Sequence, residues 1–83
     1  MHLNQLDDAL SEFKMALSFD ITEEQRLKIY YAEGLTYERK NSPEAINKFK
    51  LSLNLISDKK SNDLYLSALY HLAISQHANK KYF

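Results

Sequence analysis

Apolar residues recur along this chain in steps of three and four. The first series is Leu6, Leu10, Phe13 and Leu17, with Ala9 and Ala16 beside it. Such steps mark one face of a helix and predict a helix over residues 4–18. Asp20, Ile21 and Thr22 interrupt the pattern. Thr22 followed by Gln25 has the form of a capping box, and Glu23 and Glu24 sit in the first turn, where the helix dipole favours negative charge. A second helix is expected over 23–40, with Leu27, Tyr30, Tyr31, Leu35 and Tyr37 as its apolar positions and Gly34 in its middle. Asn41, Ser42 and Pro43 make the next break. Ser42 suits an N-cap, and Pro43 suits the first helical position, where its missing N–H costs nothing. A third helix is expected over 43–56, carrying Ile46, Phe49, Leu53, Leu55 and Ile56. Residues 57–62 are polar and read as a loop, in which Ser61 or Asn62 can cap a fourth helix over 63–80. That helix carries Leu66, Leu69, Tyr70, Leu72, Ala73 and Ile74.

Two windows repeat. Ala9-Leu10-x-x-Phe13-Lys14-x-Ala16-Leu17 aligns without gaps on Ala45-Ile46-x-x-Phe49-Lys50-x-Ser52-Leu53 at an offset of 36. The second and fourth helices align at an offset of 39: Leu27 on Leu66, Tyr31 on Tyr70, Gly34 on Ala73, Leu35 on Ile74. The longer polar stretch at 57–62 accounts for the difference between the offsets. Self-similarity at this period marks a helical solenoid. One Gly and one Pro in 83 residues leave no turn chemistry for hairpins, so the fold class is all-α, with antiparallel neighbours joined by short breaks.

On these residues the chain resembles the tetratricopeptide repeat family, whose unit is a helix pair of about 34 residues. The family's first helix has a small residue with Tyr three positions on, as at Gly34 and Tyr37. Its second helix has a small residue, an aromatic four on and a small residue seven on, as at Ala9, Phe13 and Ala16, and again at Ala45, Phe49 and Ser52. The small residues let backbones approach and the aromatic fills the space between pairs. The spacing from Tyr37 to Ala45 is one residue short of the family pattern, and Gln76 stands where Tyr is expected. The resemblance implies antiparallel pairs stacked as a right-handed α-solenoid of about four helices. The whole chain, 1–83, reads as a single repeat segment. It begins on a second-type helix and finishes on a first-type helix, as a fragment of a longer array would.

The same resemblance implies what the segment does. First-type helices of the family line a concave groove, and residue-by-residue carry-over places Lys28, Tyr31, Leu35, Glu38 and Arg39 there from the second helix. From the fourth come Ser67, Tyr70, Ile74, His77 and Ala78. Aromatic and aliphatic in the middle and charged toward one end, this groove suits an amphipathic helix or an extended peptide with apolar anchors. The competing reading is that Tyr31 and Tyr70 merely pack between helices. Lys28 alone matches the family's carboxylate clamp, so a chaperone-tail adaptor is disfavoured. The expected function is a protein–protein or protein–peptide scaffold. The alternative is the peptide-sensing segment of a Gram-positive transcriptional regulator or phosphatase-type antagonist. The open faces of the first and fourth helices leave room for a homodimer.

Composition narrows the remaining classes. Lys plus Arg and Asp plus Glu are both 11, with no basic stripe, so nucleic acid is not an expected partner of this segment. No apolar run approaches the ~20 residues that span a bilayer, and Met1 to Asn4 lack signal-peptide regions. With no cysteine, a cytoplasmic setting is expected. Neither cofactor nor metal is expected: Gly34 is the only glycine, and His71 and His77 are six apart on different faces. Asp7-Asp8 and Glu23-Glu24 suit helix starts better than acid–base chemistry. No nucleophile stands in register with a base, so no catalytic role is expected.

Overall fold

The computed structural model describes residues 3–56 and 63–79. Among them are four α-helices and no strand: α1 (Leu3–Leu17), α2 (Glu23–Arg39), α3 (Glu44–Leu55) and α4 (Asp63–Asn79). Every helix lies within one residue of the range its apolar spacing predicts.

Local chemistry sets the ends. The Thr22 hydroxyl accepts from the Gln25 backbone N–H at 3.1 Å, and the Gln25 side chain accepts from the Thr22 N–H at 2.9 Å. This reciprocal box satisfies two donors that a helix start would otherwise leave open. At the other end of α2 the chain passes through Asn41, whose φ is 58°. Asn tolerates this left-handed conformation better than most side chains. The turn then closes with Asn41 N–H to Glu38 C=O at 3.0 Å and Ser42 N–H to Tyr37 C=O at 2.9 Å. That pair of bonds is a Schellman stop. The start of α3 differs from expectation by one position. Pro43 is the cap residue and Glu44 the first helical one: the Pro43 carbonyl accepts from the Ile46 N–H at 3.1 Å, as a cap carbonyl does. Ser42 still contributes, since its hydroxyl accepts from the Glu44 N–H at 3.3 Å. The expected caps at Ser61 or Asn62, and the loop 57–62 around them, lie outside the described residues, as does His2.

The helices pack in chain order. α1 lies on α2, α3 lies most extensively on α2, and α4 lies on α3 with a light touch on α2. The shortest dimension is 20 Å, two helix diameters. The core follows the packing. Leu6 and Leu10 of α1 and Leu27 of α2 are buried, and Ala45, Phe49 and Ala68 are fully shielded. Ile56, buried where the chain leaves α3, holds the exit of that helix. An ion pair between Lys40 and Asp7 ties the end of α2 to α1. Both partners are partly exposed, so it contributes no more than ~1 kcal/mol.

Candidate functional site

Gly34 and Phe49 define the centre of the molecule. A Cβ placed on Gly34 would lie 2.5 Å from Cε1 and 2.7 Å from Cδ1 of Phe49. Glycine is needed here because the α3 ring lies directly on the α2 backbone. This is the close approach that the small-residue pattern predicts. Two α3 neighbours complete the contact. Ala45 is fully buried, and the buried Ser52 hydroxyl donates to the Leu27 carbonyl of α2 at 2.8 Å.

Phe49 also joins α2 to α4. Its ring is 5.9 Å from Tyr31 and is stacked on His71 of α4 at 5.8 Å with planes 22° apart. Tyr31 meets His71 edge-on at 6.2 Å. His71 Nδ1 lies 3.1 and 3.2 Å from the two carboxylate oxygens of Glu38. A carboxylate oxygen accepts, so His71 donates to Glu38 in the tautomer that carries its proton on Nδ1. Tyr31, Phe49, His71 and Glu38 thus form one cluster at the meeting of α2, α3 and α4.

Glu33 is the least expected feature. It has no solvent exposure, yet neither carboxylate oxygen makes a hydrogen bond. Lys48 of α3 faces it at 3.6 Å, an ion pair slightly too long for a hydrogen bond. Burial pushes the Glu33 carboxyl above its ordinary value of 4.5; the charges of Lys48 and, more weakly, Lys14 oppose that rise without overcoming it. The Lys48 ammonium also lies over the Tyr30 ring, 5.7 Å from its centroid. Sequence reasoning singled out neither Glu33 nor Lys48. The available signal was register: Glu33 stands three residues after Tyr30 and four before Tyr37, on the packed side of α2.

The ten residues carried over to a groove separate into two groups. Tyr31 and Glu38 are half-buried and already engaged with His71, and Leu35 is half-buried. Lys28, Arg39, Tyr70, Ile74 and His77 are exposed. Lys28 pairs with Glu24 one turn before it, at 3.6 Å. Ala78 is exposed and Ser67 half-buried. On α4, Tyr70 (66% exposed) and Ile74 (41%) stand one turn apart, and Leu66 (57%) and Leu69 (39%) extend the apolar surface toward the helix start. Packing between helices therefore describes Tyr31 but not Tyr70.

Among the described residues no three or more His, Asp or Glu side chains converge as metal ligands would. No helix among them is long and apolar enough to cross a membrane. No family model matches the chain, and no curated protein and no solved structure matches it either.

Proposed function

We propose that the chain is a segment of a tetratricopeptide-type solenoid, and that it holds a protein or peptide partner rather than carrying out a reaction. The repeated helix windows and the Gly34–Phe49 approach support the solenoid reading. The observation that carries the binding reading is the exposed pair Tyr70 and Ile74 on α4. Apolar side chains left in water one helical turn apart make a surface on which the apolar face of an amphipathic helix, or the apolar anchors of an extended peptide, can be buried. Exposed Lys28 and Arg39 on α2 supply charge near the two ends of that helix.

A displayed peptide library selected against the full 83-residue chain, followed by calorimetric titration of the selected peptides, tests this reading. Tyr70→Ala and Ile74→Ala should each weaken binding by about tenfold or more, the scale of an interface anchor, with helicity unchanged. Tyr31→Ala should weaken binding and lower stability together, because Tyr31 also supports Phe49 and His71. Selection of no peptide, or of peptides indifferent to Tyr70 and Ile74, would remove the reading.

A further inference from the structure

Equivalent faces of α2 and α4 meet different surroundings. On α2, Leu27, Tyr30 and Gly34 are covered or half-covered by the neighbouring helices, with α3 lying on Gly34. Their counterparts on α4, 39 residues on, are Leu66, Leu69 and Ala73, and all three are exposed. The mirror-image defect lies on α1. Ala45, Phe49 and Ser52 of α3 are fully buried, whereas their counterparts 36 residues earlier, Ala9, Phe13 and Ala16, are only half-buried. So α4 has an open face of the kind that α3 covers on α2, and α1 has an incompletely covered face of the kind that α3 uses to cover it. The match is specific to that face. Met15 of α1 is exposed, and so is its counterpart Leu51 in the packed pair.

We infer that a second copy of this chain covers α4, with α1 of one copy seated on α4 of the next as α3 is seated on α2. The contact is head to tail, so each copy keeps one donor face and one acceptor face, and association continues beyond a dimer. It is looser than the α2–α3 contact for two reasons. Ala73 carries the Cβ that Gly34 lacks, which holds an incoming Phe13 ring further out. Glu12 and Leu72 stand where Lys48 and Glu33 pair, so that contact is not reproduced. Assembly should therefore depend on concentration. It uses Leu66, Leu69 and Ala73, and because Phe49 packs against Tyr31 in the α2–α3 pair, the matching seat brings Phe13 onto Tyr70, so assembly competes with peptide binding there.

Sedimentation velocity on the full chain up to about 1 mM, where even weak interfaces populate, reads the assembly directly. The wild type should grow past a dimer. Ala73→Glu closes the α4 face and Ala16→Glu closes the α1 face, so each variant alone should stay monomeric. Mixed in equal amounts they should form a 1:1 dimer and stop there, because one intact face remains on each. A wild type that stays monomeric, a mixture that does not pair, or a variant that still self-associates alone would overturn the proposal. Helical circular dichroism checks each variant, and Leu69→Lys and Ala9→Glu replace either one that loses helicity.

Discussion

α2 and α4 align at an offset of 39, with Leu27 on Leu66 and Tyr31 on Tyr70, yet their matched positions have unlike exposure. Leu27 is 8% exposed and Leu66 is 57%. Gly34 is buried beneath the Phe49 ring, whereas Ala73 lies in water. Tyr31 packs against both Phe49 and His71, whereas Tyr70 is two-thirds exposed. The difference comes from neighbours rather than from the helices' own residues. α2 has α1 and α3 against it, and α4 has α3 with a light contact to α2. A residue in this molecule is core when a neighbouring helix of the right kind lies across it, and the same residue type is surface when none does.

The largest expected effect tests that statement directly. Phe49→Ala empties the point where α2, α3 and α4 meet, and it should cost about 3–5 kcal/mol in urea unfolding. Leu66→Ala removes a side chain of core type from an exposed site and should stay within about 0.5 kcal/mol of wild type. Equal losses at the two sites would show that α4 is covered as α2 is.

The small-residue pair gives the next effect. Gly34→Ala gains about 1 kcal/mol of helix propensity. It also drives a Cβ into a buried ring hemmed in by Tyr31 and His71, an overpacking that costs about 1–3 kcal/mol. The net expectation is a destabilised protein. Ala73→Gly faces no such ring and should lose only the propensity of about 1 kcal/mol. Gly34→Ala that stabilises the chain would mean that the Phe49 ring moves aside at little cost.

These contrasts separate what is legible in the sequence from what is not. Helix bounds follow from the spacing of apolar residues and from caps such as Thr22 and Gln25, which are local properties of the chain. The close approach at Gly34 was legible too, because an unmatched glycine inside a helix needs a packing reason. Exposure was less legible. Tyr31 and Tyr70 occupy the same repeat position, and only the placement of His71 and Phe49 tells them apart. Phe13 and Phe49 match in the same way, yet Phe13 is half-open because, among the described residues, no helix lies over it as α2 lies over Phe49. The burial of Glu33 was missed because its charge suggests a solvated face, while its register places it inside.

Glu33 gives the finest contrast, since α4 carries Leu72 at the matching position. Burial raises the folded-state pKa of Glu33 above its ordinary value, so the folded protein holds that proton more tightly than the unfolded chain does. The resulting stability is complete below the unfolded value of 4.5 and is lost as pH rises through the folded one. Where it is ionised, the buried carboxylate is a burden that Lys48, 3.6 Å away, offsets in part. Glu33→Leu copies α4 and removes the titrating group. Lys48, already 20% exposed and close to Tyr30, can turn to water in that variant. Urea unfolding of both proteins between about pH 7 and about pH 5 isolates the effect, because every other carboxylate titrates in both. The stability of wild type relative to Glu33→Leu should rise as the pH falls. A difference that stays level or shrinks would mean that Lys48 keeps the buried carboxylate ionised, and that the Glu33–Lys48 pair contributes to holding α3 on α2.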